Sequence, residues 1–67
     1  MEIIITLDVM LAKRKMRLNQ LSELIGISMT NLSLLKTGKA KGFRFSTLLK
    51  ICEALECEPG DIIKIKN

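Results

Sequence analysis

Apolar residues recur along this chain at helical spacing in its middle and at strand spacing near its ends. Between Leu18 and Ile25, Leu18, Leu21, Leu24 and Ile25 stack on one face of a helix. Gly26 then supplies a residue free to enter the left-handed region that ends helices. Ile27 is apolar, and Ser28 is a good N-cap for a following helix, Met29 to Lys36, which Gly38 stops. In that helix Leu32 and Leu35 point inward. Leu21, Ile25, Ile27, Leu32 and Leu35 therefore make the predicted inner surface of a two-helix corner, and Met29, Thr30, Asn31, Ser33 and Leu34 face wholly or partly outward. A helix that is small and polar at its N-terminal end suits the major groove of DNA.

The flanking elements follow by the same reading. Glu2 to Thr6 (EIIIT) is short and β-branched, and Asp61 to Lys66 (DIIKIK) alternates isoleucine with lysine. Both are predicted strands. They can pair as a small antiparallel ribbon or add to the edge of a second chain; a lone ribbon is marginal and must pack on the helices. Asp8 is the predicted N-cap of a first helix, Val9 to Lys15, with Leu7, Met10 and Leu11 inward. Ser46 or Thr47 is expected to cap a fourth helix to Leu55, lined by Leu48, Leu49, Ile51, Cys52 and Leu55. Pro59 opens a short fifth helix, Pro59 to Ile63.

With 67 residues the chain forms one domain, near the lower size for a single apolar core. It lacks a run of about 18 apolar residues, so no membrane span is expected. MEIIIT does not resemble a signal peptide, and a soluble, cytoplasmic protein is the reading. Net charge is +4, and its distribution says more than its sum. Lys13, Arg14, Lys15 and Arg17 cluster; so do Lys36, Lys39, Lys41 and Arg44. Glu53, Glu56, Glu58 and Asp61 form an acidic stretch. If these fold onto opposite faces, the basic side suits phosphates. The bases in the last turn of the first helix also complement its dipole.

Chemistry beyond binding has little to work with. There is no histidine, and two cysteines, Cys52 and Cys57, are too few for a zinc site; Cys52 reads as a buried small hydrophobe. No metal, cofactor or small-molecule substrate is expected. Neither a nucleophile with its base nor a phosphate-binding glycine loop is present, so the chain is not read as an enzyme.

Leu21, Ser22, Gly26, Ile27, Leu32 and Leu35, followed by Thr37-Gly38-Lys39, resemble the helix-turn-helix of the phage-repressor-like (Xre-type, Cro/cI-like) transcriptional regulators. The resemblance implies a mainly α, compact lambda-repressor-like domain of four to five helices, here with a possible terminal β-ribbon. It implies duplex DNA as partner. Met29, Thr30, Ser33 and Leu34 match the family's base-facing positions, and Ser28 and Asn31 flank them. Asn31 suits adenine, Thr30 and Ser33 several bases, and Met29 and Leu34 a thymine methyl, which implies a T/A-biased site. Arg17, Thr37, Lys39, Lys41 and Arg44 are the expected phosphate contacts, because the loop after the motif lies along the DNA backbone in related repressors. Phe45 is expected to anchor that loop in the core.

The chain departs from the family at four positions. Arg17 stands where Ser or Thr usually caps the second helix, and Leu18 where a polar residue is usual. Leu11 and Lys36 replace an Arg–Glu pair together, so neither charge is orphaned. Small size and apolar ends point to a homodimer reading two half-sites about 34 Å apart. A protein-interaction module using the exposed Met29 and Leu34, or an antitoxin-like partner, are the alternatives.

Overall fold

In a computed structural model the described residues are 1–38, 42 and 44–67. Lys39, Ala40, Lys41 and Phe43 lie outside them. The elements run β1 (Glu2–Ile5), α1 (Leu7–Lys13), α2 (Leu18–Ile25), α3 (Met29–Lys36), α4 (Phe45–Leu55), a 3₁₀ turn over Pro59–Asp61, and β2 (Ile63–Lys66). The expected mainly helical architecture with a small ribbon is what forms.

The core is aliphatic. Leu7, Met10, Leu11, Leu21, Ile25, Leu32, Leu35, Ile51, Cys52, Leu55 and Ile62 are buried together, and among the described residues no polar or charged side chain is buried with them. Leu7, Met10 and Leu11 supply the i, i+3, i+4 stripe of α1. That stripe moves the start of α1 back to Leu7, two residues before the predicted Val9. Thr6 holds the N-cap position in place of Asp8, without a side-chain cap. The Thr6 hydroxyl is spent elsewhere, donating to the Asp61 carbonyl at 2.9 Å, while the Thr6 N–H donates to the Ile62 carbonyl at 2.6 Å. Asp8 sits in the first turn, where its charge favours the dipole.

α1 ends at Lys13, not Lys15. The Met16 N–H returns to the Leu11 carbonyl at 2.9 Å, and Lys15 takes φ +51°. This is a helix-ending corner made without glycine. Arg14 turns away from its basic neighbours. Its Nε donates to the Leu55 carbonyl at 2.7 Å and its Nη2 to the Glu56 carbonyl at 3.1 Å. One guanidinium thus caps the C-terminal end of α4, where orphan carbonyls and the negative dipole end coincide.

β1 and β2 pair with each other, antiparallel, with Glu2 opposite Lys66, Ile3 opposite Ile65, Ile4 opposite Lys64 and Ile5 opposite Ile63. Both strands are shorter than predicted, since Thr6 and Asp61 are used in the latch between β1 and the 3₁₀ turn. That turn is itself shorter than the predicted Pro59–Ile63 helix, because Ile63 joins β2.

α4 corrects three expectations. It begins at Phe45 with Arg44 at the N-cap, and neither Ser46 nor Thr47 caps it. Phe45 is 89% exposed and plugs nothing. Leu49 is also exposed. At 100° per residue the inward stripe of half-buried Leu48 and buried Ile51, Cys52 and Leu55 centres near Leu55; Leu49 lies about 120° around the helix from it, and Phe45 about 80°. Leu24 in α2 is exposed for the same reason, lying off the side defined by Leu21 and Ile25.

Two outcomes follow from these corners. Arg14→Ala should lower stability by about 1–2 kcal/mol by freeing the α4 carbonyls, while Lys13→Ala should change it by less than about 0.5 kcal/mol; urea unfolding of the two variants checks the contrast. Glu56, also at φ +51°, carries the backbone strain of a left-handed non-glycine residue. Glu56→Gly should stabilise by about 1 kcal/mol, or about 4–8 °C in the thermal midpoint, and Glu56→Ala should not.

Candidate nucleic-acid interface

α2 and α3 have the predicted bounds, and the reason is visible at each end. Arg17, at the N-cap of α2, offers no acceptor, yet the start of the helix is held. The Gln20 Oε1 accepts the Arg17 N–H at 2.8 Å, a reach-back that serves where Ser or Thr would have capped. At the other end Gly26 takes φ +71°, a left-handed corner. Ser22 then fastens the turn: its hydroxyl donates to the Ile27 carbonyl. The small residue therefore does more than permit close approach. Ser28 caps α3, its Oγ accepting the Asn31 N–H at 3.2 Å.

The orientation of α3 is set by Leu32, wholly buried, and Leu35, three residues on. Ile27 is half-buried beside them. Met29, Thr30, Asn31, Ser33 and Leu34 are exposed, as is Ser28. The predicted base-reading set thus forms one continuous outward surface, made of short polar groups with an apolar side chain near each end. No acid lies on α3, and Lys36 in its last turn is exposed.

The expected phosphate contacts divide. Arg17 is exposed at the positive end of the α2 dipole. Arg44 is exposed at the start of α4, where it lines an open cleft with Asn31 and Leu34 of α3. Thr47 lines the same cleft. The sequence assigns Thr47 only a capping role; its position two residues after the loop of bases is the signal that it borders this cleft. The Thr37 hydroxyl donates back to the Ser33 carbonyl at 3.0 Å, with Leu34 at 3.4 Å. Its proton is turned to α3, so a phosphate would have to draw it away. Lys39 and Lys41 lie outside the described residues.

Charge is segregated around α4. Among the described residues, the cleft beside α3 contains no acid. Thr47 and Leu49 lie on nearly opposite sides of the helix, and the groove on the Leu49 side carries Glu53, Glu56 and Glu58 around Phe45, Leu48 and Cys52. The two cysteines are free thiols. Burial pushes both up from their ordinary range, and the Cys57 N–H donates to the Cys52 carbonyl at 3.0 Å. Among the described residues no three His, Cys, Asp or Glu side chains gather where they could hold a metal ion. No helix there is long and apolar enough to cross a membrane.

A glycine corner, a serine tie and a helix anchored by two leucines with its polar side outward define a helix-turn-helix DNA-binding domain. The chain belongs to the family of Cro/C1-type HTH DNA-binding domains, whose model matches residues 6–67. Over its whole length it is 63% identical to YozG of Bacillus subtilis (strain 168), an uncharacterized HTH-type transcriptional regulator, and covers 80% of that protein.

The Ser22 tie gives a direct check on the corner. Ser22→Ala should cost about 1 kcal/mol and should raise amide hydrogen exchange from Gly26 to Ser28 more than in α1. Uniform change across the chain would mean that the hydroxyl does not hold the turn.

Proposed function

We propose that this DNA-binding domain acts in the cytoplasm as a sequence-specific transcriptional regulator, binding duplex DNA as a homodimer with α3 in the major groove. The observation that carries the reading is the outward surface of α3, fixed from beneath by Leu32 and Leu35 and free of acids. Arg44, placed on the cleft beside it, supplies a base within reach of the same groove.

In this reading two sets of residues do different work. Thr30, Asn31 and Ser33 exchange hydrogen bonds with base edges, and Met29 and Leu34 meet thymine methyl groups. Ser28, already accepting an amide with its oxygen, still has a hydroxyl proton to give. Arg17, Lys39, Lys41 and Arg44 hold phosphates and set the register, and Thr37 joins them only by releasing its internal bond. Lys36, without the glutamate usual in the family, adds positive charge near the groove.

Binding to random duplex DNA and to sequences selected from a random pool tests both sets. Replacing Lys41 and Arg44 together with Ala should weaken binding to all sequences alike and lower the log–log salt slope by about two units. Thr30→Ala or Ser33→Ala should alter the preferred sequence and leave that slope unchanged. Loss of neither affinity nor preference in either variant would remove DNA contact from this face.

A further inference from the structure

We propose that two copies of the protein associate through the outer edge of β1, joining their ribbons into one four-stranded antiparallel sheet. The inference deepens the homodimeric reading above by naming the surface. It starts from an overhang. Ile5 and Ile63, paired across the ribbon, pack on the core. One step out on the same face, Ile3 and Ile65 are 69% and 68% exposed, and Met1 beyond them is exposed as well. The ribbon thus carries its apolar face past the end of its own core.

Charge decides which surface a second copy can use. Among the described residues, the α4 groove and the two ribbon edges differ in this respect. The groove along α4 with Phe45 and Leu49 is rimmed by Glu53, Glu56 and Glu58; apposing two copies there sets three glutamates against three. The edge of β2 is guarded by lysines. A two-fold axis normal to the sheet keeps each face on its own side. Every symmetric register overlapping β2 with itself by more than one pair then puts Lys64 opposite Lys64 or Lys66. Lysines on an edge are a common block to such pairing. β1 (EIII) has no such block. Centred on Ile3 it sets Glu2 against Ile4; centred on Ile4 it sets Ile3 against Ile5. Neither register opposes like charges.

The geometry also disposes of the overhang. Antiparallel pairing brings the exposed end of one ribbon beside the inner end of the other, where Ile5 and Ile63 rest on a core. Each copy's Ile3 and Ile65 are then covered by the second copy's globule, and two marginal ribbons become one sheet.

Sedimentation equilibrium at micromolar concentrations, with far-UV circular dichroism as the fold control, tests the surface. The native protein and Leu49→Lys should be dimers and Ile3→Lys a monomer, since position 3 is exposed and its change spares the core. In Ile3→Cys and Ile4→Cys variants, mild oxidation should join two copies covalently through one of the two positions, which decides the matter even if Ile3→Lys fails to fold. A native monomer would overturn the homodimeric reading as well as this one. A native dimer that survives Ile3→Lys, or that Leu49→Lys separates, or that gives no crosslink at either position, would overturn the β1 edge alone.

Discussion

Leu32 is the one side chain of α3 removed entirely from water, and the outward surface of the domain depends on how it packs. Burying it beside Leu21, with Leu35 one turn on, sets the rotation of α3 about its own axis. A helix of eight residues has little stability of its own, so its tilt and rotation come from these contacts and from the corner before it. Gly26 removes the steric cost of the reversal and Ser22 ties it off. Two leucines, a glycine and a hydroxyl thus determine which atoms α3 presents.

The distribution of charge is the second constraint, and Arg14 shows that position in sequence does not decide it. Four bases within five residues, Lys13 to Arg17, suggest a single phosphate-facing cluster. Arg14 is instead consumed by two carbonyls at the end of α4, joining α1 to the acidic end of that helix. Among the described residues, the positive charge near α3 comes from Lys36 and Arg44. Among the described residues, Glu53, Glu56 and Glu58 gather on the other side of α4. In the proposed reading, this segregation frees one face for phosphates and leaves the ribbon for self-association.

Helix type and order were legible because the caps were. Ser28, Gly26 and the leucine spacing define α2 and α3 to the residue. The failures share a cause. Phe45, Leu49 and Leu24 are apolar, and residue type reports a wish to be buried but not the angle at which a helix is presented to its neighbours. Only the packing of Ile51 and Leu55 decides that Leu49 lies outside. Asp8 failed as a cap because the Leu7, Met10 and Leu11 stripe starts the helix one residue before it, with Thr6 at the N-cap; Thr6 in turn is bound to Asp61, 55 residues away, a contact that local pattern does not contain. What was legible is the candidate surface: α3's proposed base readers are exposed and Arg44 lies on the adjoining cleft, while the exposed Thr37 gives its hydroxyl proton to the Ser33 carbonyl, a bond its sequence context did not announce.

An aliphatic core of this size leaves a small margin of stability. It holds no aromatic side chain among its described members, and two of its corners use left-handed residues that are not glycine. Such strain costs roughly 1–3 kcal/mol at each position, against net stabilities of about 5–15 kcal/mol for folded domains. Anything that binds the folded form alone raises that margin in proportion to the logarithm of its concentration over its dissociation constant. Duplex DNA at the proposed α3 surface and a second copy at the proposed β1 edge would both act in this way. In such a domain the tie at Ser22 and the latch from Thr6 to Asp61 matter beyond their individual energies. The first holds the corner before α3 in one conformation, and the second keeps the ribbon aligned on the core, so that in the proposed reading neither partner has to supply the ordering itself.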